Sequence, residues 1–132
     1  MKCFDGNERK LTSTDLMISD AQKPLCIAGV YGGLHSGVTD QTKNIFLESA
    51  WFENVHIRKT SVHHGLRTDA ATRFEKGVDI AGTVKVLERA AKMIQEIAGG
   101  SCSEVVDIYP QPAQKVKVTL TFAYLKKLGG KV

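Results

Sequence analysis

At 132 residues, with 42% hydrophobic and 24% charged side chains, the chain is long enough for one domain with a real core and ordinary in composition. No apolar run reaches the ~18 residues that a membrane-crossing helix needs, and residues 1–6 carry no apolar signal core. Three scattered cysteines, Cys3, Cys26 and Cys102, argue against a disulfide framework or a zinc site and fit reduced thiols in a cytoplasmic protein, while a net charge of +4 is compatible with a polyanionic partner without requiring one.

Asp5-Gly6 is a tight hairpin signal, so the first residues read as a turn between short strands. Ser13, Thr14 and Asp15 punctuate the chain before Leu16-Met17-Ile18, and residues 20–24 break it again. Residues 25–30 are continuously apolar, as expected of a buried strand. Gly32, Gly33 and Gly37 then mark a flexible loop. Residues 44–50 read as a further, mostly buried strand.

From residue 51 the pattern turns helical. Residues 51–62 mix apolar and charged side chains and end near Gly65. Thr68 or Asp69 can cap a short helix through Lys76, and Gly77 suits its stop. Asp79 is expected to cap the longest helix, over residues 80–98. There Ile80, Val84, Leu87, Ala91, Ile94 and Ala98 form one apolar stripe, flanked by a second from Val86 to Ile97. So wide a face suggests packing against a sheet. Residues 104–109 read as a strand, and Pro110 and Pro112 as a linker. Residues 115–120 alternate like a half-exposed strand, and residues 122–128 read as a short helix. The expected class is α/β (α+β), a mixed β-sheet covered by a long helix.

Generic motifs are absent: no phosphate-binding Walker loop, no dinucleotide fingerprint, no zinc cluster. His63-His64 does not suggest metal, because neighbours on a helix point in different directions; both read as exposed polar residues. Between residues 56 and 77, Arg58, Lys59, Arg67, Arg73 and Lys76 outnumber Asp69 and Glu75. A solvated helical face and a surface that meets RNA phosphates both fit. Glu48 stands inside an apolar stretch, where a carboxylate needs a partner or an exposed edge. Ala28, Gly29, Gly32 and Gly33 suit a tight turn and core packing, and they equally leave room for a ring.

Three blocks resemble the beta subunit of bacterial phenylalanyl-tRNA synthetase, in the region of its hydrolytic editing site. They are Ile27-Ala28-Gly29-Val30-Tyr31-Gly32-Gly33, Asn44-Ile45-Phe46-Leu47-Glu48-Ser49-Ala50-Trp51-Phe52, and His64-Gly65-Leu66-Arg67-Thr68-Asp69-Ala70-Ala71-Thr72-Arg73-Phe74-Glu75-Lys76-Gly77-Val78-Asp79. Their order and spacing match the family over about residues 5–107. Ala71, Lys76 and Ile80 depart from the family's usual serine, arginine and proline.

The resemblance implies that residues 1–110 are most of an editing domain without its N-terminal part. Residues 111–132 would be a linker and the start of a following small domain. It implies hydrolysis of tyrosine wrongly esterified to the phenylalanine tRNA. Glu48 would accept the tyrosine hydroxyl's hydrogen bond, in a pocket with Ala28, Gly29, Gly32, Thr68 and Ala70. Arg58, Lys59, Arg67 and Arg73 are candidate RNA contacts. No side chain stands out as a general base, so backbone groups, Thr68 and the tRNA's terminal ribose are expected to position the water. The parent enzyme uses ATP and magnesium at a synthetic site on its alpha subunit, in a heterotetramer of two alpha and two beta subunits. No cofactor or metal is expected on this segment. A non-catalytic tRNA-binding or protein-interaction module and a free-standing editing protein are the alternatives.

Overall fold

The computed structural model describes residues 1–112, 114 and 116–130. Three short segments pair into an antiparallel sheet in the order β1 (Met17–Ser19), β2 (Pro24–Ile27), β3 (Tyr31–Gly32). Met17 faces Ile27 and Ile18 faces Cys26, with a register irregularity after Ile18. The apolar run at 25–30 is therefore the end of β2 plus the turn into β3. Val30 N–H closes that turn on Ile27 O at 3.0 Å. Gly29 sits in it at φ +65, the left-handed region. The Asp5-Gly6 turn forms as the sequence suggests, with Lys2 bridging Glu8. This N-terminal hairpin then joins the sheet through a Cys3–Gly33 bridge.

Two helices close over the turn. In α1 (Asn54–His63), Glu53 is the N-cap and accepts from Val55 N and His56 N. Ile57, Thr60 and Ser61 are buried. In α2 (Asp69–Phe74), Thr68 is the cap. Cys3, Ile27, Val30, Ile57, Leu66 and Ala71 form the buried core, with Tyr31, Phe52 and Phe74 packed on it. Each fully buried aliphatic side chain there is worth about 1.5–3 kcal/mol. A Cβ on Gly29 would lie 2.9 Å from the Phe52 ring and 3.1 Å from Ile57. Gly29→Ala should thus cost about 2–4 kcal/mol, from left-handed strain plus overpacking, read as a lowered urea midpoint. An unchanged midpoint would show that the turn accepts a side chain.

Several elements differ from the sequence reading. Residues 44–50 and 104–109 form no strand, because no neighbouring strand pairs with them; Phe46 is 96% exposed. Of the strand expected at 115–120, Lys115 lies outside the described residues, and 116–120 form no strand. The expected α+β class holds, but among the described residues the sheet is antiparallel rather than mixed. Asp79 caps a 3-10 turn, Ile80–Gly82, and α3 (Thr83–Ala98) begins only after it. That helix has no buried residue, so it does not cover the sheet. Strands of three, four and two residues offer too small a face for sixteen helical ones. The helix expected near the end is α4 (Phe122–Gly129), capped by Thr121.

Candidate functional site

The β2–β3 turn is the floor of an open cavity of about 850 Å³, a size suited to a small ligand. Ile18, Cys26, Tyr31 and Gly32 extend the floor across the sheet. Glu48, Ser49 and Ala50 make one side, and Thr68, Asp69 and Ala70 another. Phe52 and Phe74, with ring centroids 5.1 Å apart, and Val86 from the first turn of α3 complete an apolar lining.

Glu48 enters this site without a strand to carry it. Next to it, Ser49 Oγ donates to Thr83 O at 2.8 Å and ties the segment to the start of α3. Glu48 as a residue is exposed, yet burial pushes its carboxyl above the usual glutamate value. The two facts describe one geometry: an open mouth on one side and apolar wall on the other. Among the described residues, no hydrogen bond or ion pair engages this carboxylate. Burial, and secondarily the Glu48 charge, push the Cys26 thiol up as well.

Thr68 joins two parts of the wall. Its hydroxyl donates to Val30 O at 2.7 Å and accepts from Ala71 N at 3.0 Å. The same side chain thus caps α2 and pins that helix to the turn containing Gly29. Gly29, Gly32, Glu48, Thr68 and Ala70 all line the one cavity. Ala28 does not: it is 1% exposed, with its N–H bonded to Leu16 O at 2.9 Å, and it supports the turn from the core side. Tyr31, Phe52, Phe74 and Asp69 are lining residues that sequence reasoning left out, although all four stand inside the resembling blocks.

Arg58, Lys59, Arg67 and Arg73 are exposed and make no ion pair among the described residues. They lie on α1, on α2 and between them, outside the cavity lining. His63 is exposed, but His64 is not the exposed polar residue expected. Its side chain is 5% exposed, and Nε2 donates to Asp15 Oδ2 at 2.9 Å. Glycine at 65 turns the chain back there, and the ring is folded inward. Among the described residues, no group of three or more His, Cys, Asp or Glu side chains is placed to hold a metal ion. No helix among them is long and apolar enough to cross a membrane.

A family model for the B3/4 domain matches residues 1–99. The chain belongs to the B3/4 domain family. Several of its relatives are beta subunits of phenylalanine–tRNA ligase. It is 50% identical over 130 residues to the phenylalanine–tRNA ligase beta subunit of Bacteroides fragilis, across 98% of this chain and 16% of that protein. The corresponding subunit of Porphyromonas gingivalis is 48% identical over 129 residues, across 97% of the chain and 16% of the subunit. That of Carboxydothermus hydrogenoformans is 51% identical over 109 residues, across 82% and 14%. The B3/4 chain thus spans about a sixth of the length of the first two relatives, and the resemblance seen in its three blocks extends over nearly all of it.

Proposed function

We propose that this B3/4 chain supplies the specificity wall of a post-transfer editing site that hydrolyses tyrosine misattached to phenylalanine tRNA. Tyrosine is phenylalanine plus one hydroxyl, and an apolar pocket excludes such an addition by only about a hundredfold. A second site that requires the hydroxyl can discriminate far better, since its polar group stays unpaired with the wrong ligand. The observation that carries the reading is Glu48: an unpaired carboxylate on the wall of a mostly apolar cavity that the Gly29 and Thr68 segments also line. It accepts the phenol's hydrogen bond and leaves bond cleavage to a water. The aromatic ring lies beside Gly29 and Gly32, which add no side chain of their own to the cavity wall. Ala70 offers only a methyl group.

In this reading residues 1–110 contribute most of the editing domain, and residues 111–132 lead to the next. The subunit works in the cytoplasm with tRNA and an alpha subunit, in a heterotetramer of two alpha and two beta subunits. ATP and magnesium serve the synthetic site on the alpha subunit, and no step here passes through them. The unpaired Arg58, Lys59, Arg67 and Arg73 favour a contribution to tRNA phosphate contact. They equally support a purely tRNA-binding module, marked by salt-sensitive binding without deacylation.

The test is deacylation of tyrosyl- and phenylalanyl-tRNA by the intact synthetase carrying Glu48→Ala. The preference for tyrosine should fall roughly ten- to a hundredfold, the worth of one hydrogen bond to a charged group. Unchanged preference would remove Glu48 from the specificity role.

A further inference from the structure

Tyr31 is both a lining residue of the cavity and part of the core's outer layer. What holds its ring is unusual for a wall of a ligand site. The Arg9 guanidinium stands over it, 5.7 Å from the ring centroid. Arg9 is itself clamped: Nη1 donates to Asp5 Oδ1 at 2.8 Å and Nη2 to Asp5 Oδ2 at 2.6 Å. Asn7 fastens the same carboxylate through its backbone N–H at 3.1 Å and its side-chain amide at 3.0 Å. The Arg9 side chain is only 14% exposed. The hairpin that carries this group is bolted to the sheet beside Tyr31. Phe4 N–H donates to Gly32 O at 3.1 Å and Leu34 N–H to Lys2 O at 3.1 Å.

We propose that Arg9 is a positioning residue for the cavity. Clamped by Asp5, its guanidinium holds the Tyr31 ring as a fixed aromatic wall against which the substrate's own ring is placed. The inference rests on the editing reading and adds a residue to it. Arginine suits the task where lysine does not. Its planar fork matches a carboxylate bidentately while its flat face lies on a ring, and a point charge does neither. Asp5 neutralises the charge, so the fixture adds little net field to the site. The Arg9 fork in turn holds the Asp5 carboxyl well below the usual carboxylate range. A fixed wall lowers the ordering cost of binding and leaves the chemical step alone.

The experiment is a double-mutant cycle in the intact synthetase, with tyrosyl-tRNA as substrate. Arg9→Gln and Tyr31→Ala should each raise KM about tenfold with kcat nearly unchanged. The double variant should be no worse than either single, because one acts through the other. Tyr31→Phe keeps the ring and should behave as the parent; Arg9→Lys keeps only the charge and should resemble Arg9→Gln. Multiplying effects in the double variant, a loss confined to kcat, or full rescue by lysine would each overturn the proposal. Thermal melting of every variant separates a hairpin that unfolds from one that merely releases the ring. If melting shows an unfolded hairpin, the cycle is read from Arg9→Lys instead. A parent enzyme that does not deacylate tyrosyl-tRNA overturns the editing reading together with this one. An active parent with an additive cycle overturns this one alone.

Discussion

Replacing Asp15 with alanine should lower the unfolding free energy by about 2–4 kcal/mol, because it strands hydrogen-bond donors at about 1–3 kcal/mol each. The Asp15 side chain is 1% exposed and takes three bonds. Thr12 N donates to Oδ2 at 2.8 Å, His64 Nε2 to Oδ2 at 2.9 Å and Thr60 Oγ1 to Oδ1 at 3.0 Å. Truncation strands the Thr60 hydroxyl, in a residue 4% exposed, together with the imidazole N–H. The stretch before β1 would lose its anchor on α1. Urea titration of the variant is the measurement, and a loss below 1 kcal/mol would show that water satisfies the abandoned donors.

The same carboxylate gives the fold an acid limit. Burial alone would push Asp15 up, but the Thr12, His64 and Thr60 bonds outweigh it and hold the group at about 2. A depressed acid stabilises the fold above its unfolded value, about 3.9, and loses that contribution as pH falls through its folded value. Some 2 kcal/mol of stability should therefore vanish between about pH 4 and pH 2. Asp15→Asn should flatten that part of the pH profile, and a profile identical to the parent's would assign the acid limit to other groups.

The second large effect is expected at Gly33, which the sequence suggested as part of a flexible loop or tight turn with room for a ring. Its backbone is extended and ordered: N–H bonds to Leu25 O at 3.0 Å, and the residue bridges Cys3. A Cβ would stand 2.2 Å from that same Leu25 oxygen, a backbone atom with no rotamer to yield. Gly33→Ala must therefore prise β3 from β2, at a cost of about 3 kcal/mol or more. Gly65→Ala is the control. Gly65 is at φ +63 with nothing within 4 Å of a Cβ, so left-handed strain of about 1–2 kcal/mol acts alone. Equal losses at the two positions would mean that the sheet absorbs the clash.

Local chemistry was legible where a residue answers to its own neighbours. The Asp5-Gly6 hairpin, a cap at Thr68 or Asp69 that falls to Thr68, a helix expected over residues 51–62 and found over 54–63, and the stop of the long helix at Gly99 all follow from turn, capping and periodicity rules. Strands fared worse, because a strand needs a partner that its own residues do not name. Residues 44–50 and 104–109 have strand-like patterns and no ladder. The site divides in the same way. Glu48, Gly29 and Thr68 were visible as a misplaced charge, a turn and a cap, with the family resemblance supplying their common purpose. Tyr31 and its support from Arg9, and the inward turn of His64, depend on contacts across 22 and 49 positions of sequence. No short pattern announces them.

A hydroxyl has one hydrogen to give, and that of Thr68 is committed to the Val30 carbonyl. With one lone pair already taken by Ala71 N–H, any solvent molecule that bonds to it must offer a hydrogen of its own to the other. Valine in this place would leave that carbonyl bare and the solvent molecule undirected; serine would keep both. Toward any further neighbour the Thr68 hydroxyl can therefore act only as an acceptor.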